Sequence, residues 1–474
     1  MVPTRAKIVC TLGPSSNDPQ TIKALVLAGM NVVRLNFSHG SAEEHRQVVR
    51  SVRQAARDTG RLVAIMLDLQ GPKIRVGRFK TGAAVLEQGG QFVITTRAVE
   101  GDDTIVSTTY ASLPKDVGIG DQVLLDDGLI SLRVIGKNDT DLTCEIVDGG
   151  VLKNNKGINV PGVALSVSTL TAKDMEDVEF GIGEDVDYIA MSFVRQPADI
   201  HILREYMKAK GANIPVIAKI EKPEALGCID EIIAISDGIM VARGDLGVEL
   251  PPEEVPAIQK NIILKCNQQG VPVITATQML DSMVANPRPT RAEASDVANA
   301  ILDGSDAVML SAESASGKYP LESVRVMKRI ISATEKTRIG GIGHRQHSDS
   351  GIMPTQEGIA ISACTIAEQV DASAIVSITL SGSMARSIAK HRPQKPIYAI
   401  SQRAHELRRL SLVWGIEGVL MPDLNRSIDE AVYEVEEALM ERGYLKKGDR
   451  MVFTAGLPFA SRQATNMVRV DTVR

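Results

Sequence analysis

In the stretch AKIEKP, Lys219 and Glu221 stand two residues apart, which places both side chains on one face of a strand. A structural salt bridge is the plain reading of such a pair, but buried charge needs partners, and packing alone explains it poorly. The next apolar run ends in ARGDLGVEL and supplies Arg243, Gly244 and Asp245. Glu221 and Asp245 are hard oxygen ligands of the kind Mg2+ or Mn2+ takes from protein while substrate and water complete its shell. RLNFSHG alternates Arg34, Asn36 and Ser38 on one face, with His39 just after; a guanidinium there suits a phosphate or carboxylate. Thr277 in TATQML and Ser311 in LSAES add hydroxyls, and Lys156 in NNKGINVPG is either a cleft residue or a solvated loop lysine. A cationic, metal-binding, hydroxyl-lined set of this kind is the inventory for phosphoryl transfer, which depends on positioning and on neutralising charge. No P-loop GK[ST] pattern and no HRD or DFG signature is present, so a nucleotide would be held by scattered basic groups and metal.

These residues sit at the ends of short apolar runs, at 6–13, 31–40, 62–71, 186–195, 215–223, 237–247, 272–280 and 306–314. Patterns suited to single helices separate most of them, such as AEEHRQVVRSVRQAARDTG, closed by a glycine that suits a helix C-terminus. The polar ends recur at Thr11, Asn36, Asp68, Ser192, Glu221, Asp245, Thr277 and Ser311, with steps of 24 to 34 residues except one. That pitch predicts a (β/α)8 barrel, whose reactive residues belong at the C-terminal ends of the strands. The exceptional step, from Asp68 to Ser192, contains alternating segments such as FVITT and DQVLLDDGLISLRVI, which predict a small inserted β-barrel domain overhanging the mouth as a lid. The predicted divisions are residues 1–70 and 167–340 for the barrel, 71–166 for the lid and 341–474 for a C-terminal α/β domain with a mostly parallel sheet. The polar, Gly-rich stretch at 340–356 reads as a linker.

A chain of 474 residues with 44% apolar and 23% charged residues is an ordinary soluble, multidomain composition. The net charge of -5 gives no electrostatic case for nucleic acid or an anionic membrane, and 3% aromatics argues against base stacking. Five dispersed cysteines without a C-x-x-C pair suit reduced thiols and a cytoplasmic location. No run reaches membrane-spanning length, and the N-terminal MVPTRAKIVCTLGPSS lacks the apolar core of a signal peptide.

The ordered set KIVCTLGPSS, MNVVRLNFSHG, LDLQGPKIR, KGINVPG, PVIAKIEKPEAL, MVARGDLGVEL, ITATQMLDSM, PRPTRAE and VMLSAESASGKYP resembles pyruvate kinase over essentially the whole chain. The resemblance implies phosphoryl transfer from phosphoenolpyruvate to ADP, with enolpyruvate then protonated to pyruvate. It makes Lys219 the catalytic lysine, Glu221 and Asp245 the ligands of Mg2+ or Mn2+, and Arg34 a phosphoryl-binding group. The backbone at Gly244 and the Thr277 hydroxyl would take the substrate carboxylate, Thr277 also belonging to the network that protonates the enolate. Asn36, His39, Arg75 and Lys156 match nucleotide-side positions, and Asn36, Ser38 and Asp68 a monovalent-cation pocket. A second Mg2+ would arrive with ADP, and a homotetramer is the family's usual assembly.

DLQGPKIRVG departs from the family pattern, because K+-dependent members carry glutamate where Lys73 stands and Thr-Lys where Leu69-Gln70 stand. An ammonium there can supply the charge that K+ brings elsewhere and repels a bound cation, so K+ is not expected to be required. In ITLSGSMAR, Thr379, Ser381, Gly382 and Ser383 form a strand-to-helix loop that either takes a phosphate, with Arg386 as partner, or is an ordinary serine-capped turn. A sugar phosphate or nucleotide is the effector class this implies. Two other readings stand beside this one: a different metal-dependent phosphoenolpyruvate or pyruvate enzyme on the same barrel, such as an aldolase or mutase, and a non-catalytic metabolite sensor.

Overall fold

The computed structural model describes residues 4–163, 165–337, 353–422, 427–457 and 464–474. Three strands open the chain: β1 (Lys7–Thr11), β2 (Val32–Asn36) and β3 (Ala64–Asp68). The inserted domain follows with β4 (Ala83–Leu86), β5 (Gln91–Thr95), β6 (Ile105–Ser107), β7 (Gln122–Leu125), β8 (Ile130–Lys137), β9 (Asp141–Asp148), β10 (Gly150–Lys153) and β11 (Ile158–Asn159). The barrel resumes with β12 (Tyr188–Met191), β13 (Val216–Ile220), β14 (Gly238–Ala242), β15 (Val273–Ala276) and β16 (Ala307–Leu310). These eight outer segments close in the order β1-β16-β15-β14-β13-β12-β3-β2, every pair parallel.

Alternation along the barrel strands decides what faces inward. Val32, Ala64, Met66, Tyr188, Ala190, Ile217, Met240 and Ile274 belong to the buried cluster that fills the barrel, while Val33, Ile65, Leu67 and Ala218 join the layer beneath the surrounding helices. Continuing the inward parity by two or four residues reaches Arg34 on β2, Asp68 on β3, Ser192 after β12, Lys219 on β13 and Glu221 just after it. The same rule that packs the barrel therefore points the polar strand ends into its mouth. Helix starts are capped as their sequences suggest, for example by the reciprocal Ser41–Glu44 bonds, with left-handed Gly60 ending that helix.

The inserted domain folds over its own apolar core through a six-stranded sheet, β11-β7-β8-β9-β5-β6, and a two-stranded one, β10-β4. The C-terminal sheet comprises β17 (Ala374–Ile378), β18 (Ile397–Ser401), β19 (Ile416–Leu420), β20 (Arg450–Ala455) and β21 (Met467–Thr472), in the order β19-β18-β17-β20-β21. Its pairs are parallel except for β21, an antiparallel edge strand that the sequence reading did not anticipate. Residues 338–352, most of the expected linker, lie outside the described residues.

The C-terminal domain docks on the floor of the barrel. Leu412 inserts into the barrel's inner cluster, and the buried Lys7 ammonium donates to Ile416 O at 2.6 Å. Asp187, 1% exposed, accepts from Arg408 Nε (2.7 Å), Arg53 NH2 (3.0 Å) and Ile65 N (2.8 Å), joining the domain to the β3–β12 pair. Asp306 accepts from Arg392 at 3.0 Å and from the Trp414 amide at 3.1 Å. Replacing Asp187 by Ala deprives Arg53 and Arg408 of their buried carboxylate, leaving Arg408 with the exposed Asp185, so a loss of about 3–5 kcal/mol is expected. Urea unfolding followed by tryptophan fluorescence checks this, since the sole tryptophan, Trp414, lies at that junction.

Candidate active site

The turn after β3 is built by close contact. Gly71 adopts a left-handed φ of 66°, and a Cβ there would fall 2.7 Å from the Phe193 ring and 3.0 Å from Ser192 Cβ. Its amide donates to Asp174 Oδ1 at 3.0 Å. Pressed together in this way, the exits of β3 and β12 share a hydroxyl: Ser192 Oγ donates to Leu69 O at 2.7 Å and accepts from Lys219 Nζ at 2.7 Å.

Lys219 is the centre of a buried cluster of charge. Its ammonium lies 2.8 Å from Glu221 Oε1 and 3.1 Å from Asp68 Oδ1, and Arg34 pairs with the other Asp68 oxygen while donating to Thr11 Oγ1 at 3.0 Å. Burial works against the charged ammonium, but attraction to Asp68 and Glu221 outweighs it and pushes the lysine above its usual range. For Asp68, burial is likewise outweighed, here by Arg34 and Lys219, and the carboxyl is held below its usual range. Asp68 Oδ1, fully buried, faces the Lys219 ammonium as an ion pair and not as a well-directed hydrogen bond.

Glu221 is pushed upward, by burial first and by the neighbouring Asp245 carboxylate in addition, against the pull of Lys219. Two carboxylates that repel across a shared space fit a divalent cation, and the pair suits an ion that keeps waters and takes substrate oxygens. Glu221 Oε2 also accepts from Phe193 N at 2.9 Å, which fixes the carboxylate's orientation.

Asp245 belongs to the helix Arg243–Glu249 that follows β14 directly. Gly244 N in its first turn donates to Thr277 Oγ1 at 2.7 Å, and that hydroxyl donates to Ala276 O at 2.6 Å. Thr277 and Gln278 both have positive φ, 69° and 55°, a costly conformation for a β-branched residue. Arg243 holds this turn, donating to Ala276 O (3.2 Å) and Thr277 O (2.8 Å) while paired with Asp296 (2.7 Å). Buried Glu313 accepts from Leu280 N (3.0 Å) and Ser311 N (2.7 Å), tying the β15 and β16 exits together. Ser192 and Arg243 were named in sequence only as polar residues at strand ends, without these roles, and Glu313 was not named at all.

On the opposite rim, burial first and then the charges of Lys73, Arg75 and Arg34 hold the His39 pKa down. Asn36 stands opposite Asp68 in the β2–β3 register and accepts from Ser38 N at 3.2 Å. Arg75 donates to Asn155 O at 3.0 Å, and Lys156 pairs with Asp126 of the lid at 2.7 Å, rather than reaching across the cleft. Lys73 is exposed, lines the cleft between lid and barrel with Asp127, Phe193, Lys222 and Asp245, and has no ion pair among the described residues. In the C-terminal loop, Thr379 Oγ1 accepts from Gly382 N at 2.9 Å, Ser381 Oγ donates to Ser383 Oγ at 3.2 Å, and Arg386 donates to Ser381 O at 3.1 Å.

A (β/α)8 barrel with an inserted β domain, two cations, two neighbouring carboxylates and a strained hydroxyl turn at its mouth has the make-up of a phosphoryl-transfer enzyme. Family models agree: "Pyruvate kinase, barrel domain" matches residues 3–324 and "Pyruvate kinase, alpha/beta domain" residues 357–471. A pyruvate kinase of Geobacillus stearothermophilus is 47% identical over 476 residues, covering 99% of this chain and 80% of that protein. One from Staphylococcus aureus (strain MRSA252) is 46% identical over 473 residues, with the same coverage. The crystal structure of a pyruvate kinase from Cryptosporidium parvum superposes with a TM-score of 0.94 at 36% identity, covering 99% of this chain and 96% of that one. The chain belongs to the pyruvate kinase family, which carries phosphoryl groups from phosphoenolpyruvate to ADP and generally uses Mg2+.

Replacing Ser192 by Ala removes a hydrogen bond to a buried ammonium, worth ~1.5–3 kcal/mol. If that bond aims Lys219 in the transition state, kcat falls about ten- to hundredfold. Steady-state kinetics together with an unchanged melting temperature would separate this from a folding defect.

Proposed function

We propose that this pyruvate kinase works without K+, under the control of a phosphorylated effector, as a cytoplasmic homotetramer. The observation that carries K+ independence is the surplus of fixed positive charge at the cleft rim. Lys73, Arg75 and Arg34 all act on His39, and the Asp68 carboxylate already balances Arg34 and Lys219. A monovalent ion entering among Asn36, Ser38 and Asp68 would meet that charge at close range. The exposed Lys73 ammonium supplies the positive field instead, toward the nucleotide side where His39, Arg75 and Lys156 stand.

In the reaction we assign, Glu221 and Asp245 hold Mg2+ or Mn2+, which when bound neutralises charge on the substrate oxygens. Arg34 takes the phosphoryl group bidentately, and Lys219, held by Asp68, Glu221 and Ser192, places its ammonium against the charge that develops as the group moves to ADP. The substrate carboxylate is received at the start of the Arg243–Glu249 helix by Gly244 and Thr277, where binding would displace their mutual hydrogen bond. To receive it, the Thr277 hydroxyl turns its proton from Ala276 O to the carboxylate, so Thr277 is assigned to the water-linked network around the enolate and not to delivery of its own proton. Thr379, Ser381, Gly382, Ser383 and Arg386 are assigned to effector response.

Pyruvate formation from phosphoenolpyruvate, ADP and Mg2+ tests this reading, measured in KCl and in tetramethylammonium chloride. Comparable rates in the two salts are expected, and no pyruvate without ADP. A rate in tetramethylammonium of no more than a few per cent of the KCl rate would refute K+ independence.

A further inference from the structure

The loop at 37–40 joins β2 to the helix Ala42–Thr59 and carries His39 at the cleft rim. Among the described residues the exposed His39 imidazole makes no hydrogen bond of its own, so its aim depends on the backbone beneath it. That backbone is held at both ends. The Phe37 amide donates to Asp68 O at 3.0 Å, and Lys173 Nζ donates to Phe37 O at 2.9 Å while pairing with Asp177 at 2.6 Å. At the other end the His39 carbonyl oxygen lies 2.9 Å from His45 Nε2.

His45 stands at the start of the following helix, and packing fixes its ring. It stacks on Phe37 with centroids 4.2 Å apart and planes 19° from parallel, and Phe37 in turn tilts against Phe180 of the helix Ala172–Gly183 at 5.2 Å. Burial lowers the pKa of the His45 ring, so at neutral pH it has a single N–H, and the carbonyl, which can only accept, takes it. The approach is close enough to restrict the chain. Gly40 has a left-handed φ of 79°, and a Cβ there would come 3.2 Å from His45 Nε2 and 3.5 Å from Glu44 Oε2. One line of contacts therefore runs from the strand end whose carboxylate pairs with Arg34 and Lys219, through Phe37 and His45, to the backbone of His39.

We propose that His45 is a positioning residue for the nucleoside diphosphate: it holds the His39 carbonyl, and with it the His39 imidazole, against the incoming diphosphate. The inference rests on the reading that places His39 on the nucleotide side, and adds a residue that acts on the ligand only through another. Lys73, on its long flexible stem, can follow a ligand across the rim. The short imidazole of His39 goes where its backbone puts it, so ADP affinity depends on what fixes that backbone.

Steady-state kinetics of the full-length protein test this, with ADP varied at saturating phosphoenolpyruvate and Mg2+, and then the reverse. His45→Phe keeps the stack and removes the donor. It should raise KM for ADP about three- to tenfold while KM for phosphoenolpyruvate and the melting temperature stay at wild-type values. His45→Gln restores an N–H at similar reach and should recover most of the ADP affinity. His39→Ala should raise KM for ADP by itself, and His45→Phe should add nothing in that background. An unchanged KM for ADP in His45→Phe, beside a raised one in His39→Ala, would overturn the inference and leave the nucleotide reading standing. Unchanged values in both variants would remove that reading and the inference with it. Equal rises in both KM values with a lowered melting temperature, not rescued by Gln, would give His45 a structural role only and overturn the inference as well.

Discussion

The mouth of this barrel depends on a buried quartet of two cations and two carboxylates, Arg34, Lys219, Asp68 and Glu221. None of the four could be buried alone, because an isolated charge in the interior is severely penalised. Asp68 sits between Arg34 and Lys219 and allows two positive groups to face the same space without driving each other away. Asp68 and Glu221 hold the ammonium and guanidinium in place before any substrate arrives, which is the preorganisation that phosphoryl transfer exploits.

The neighbouring shells serve that quartet. The Gly71 turn lets Phe193 and Ser192 approach β3, giving Lys219 a neutral hydrogen-bond partner and Glu221 a backbone donor. Across the mouth, Thr277 is kept in a strained left-handed turn by Arg243 from the preceding strand exit. Strain of order 1–3 kcal/mol at such a residue persists only where its surroundings over-determine it, and here two carbonyls are tied to one guanidinium. The lid reaches the same region through Asn159, which donates to buried Glu249 at 2.7 Å while Lys222 pairs with that carboxylate. Glu249 ends the helix that bears Gly244 and Asp245, so the inserted domain contacts the same element that carries both residues.

Much of this was legible in the sequence because strand parity is local. Lys219 and Glu221 two residues apart, and Arg34 two before Asn36, share a face once their segments are strands, and the regular pitch of polar run ends implied a barrel to collect them. Ser192, Arg243 and Glu313 escaped because their roles rest on contacts with residues far off in the chain: Leu69, Thr277 and Leu280. The antiparallel β21 escaped for a related reason, since MVRVDT is half-exposed and gains its identity from pairing with β20. Lys73 shows the reverse limit. Its identity marked a departure from the family pattern, but only coordinates reveal an exposed ammonium that acts on His39 rather than pairing with Asp68.

The claim that a fixed ammonium at Lys219 carries transition-state charge is tested most directly by the kinetics of Lys219→Met. Removal of one preorganised charge should lower kcat about a thousandfold. Phosphoenolpyruvate should still bind the variant with Mg2+, seen as a retained thermal shift, because Arg34, Glu221 and Asp245 remain. Full turnover by the Met variant would contradict the account.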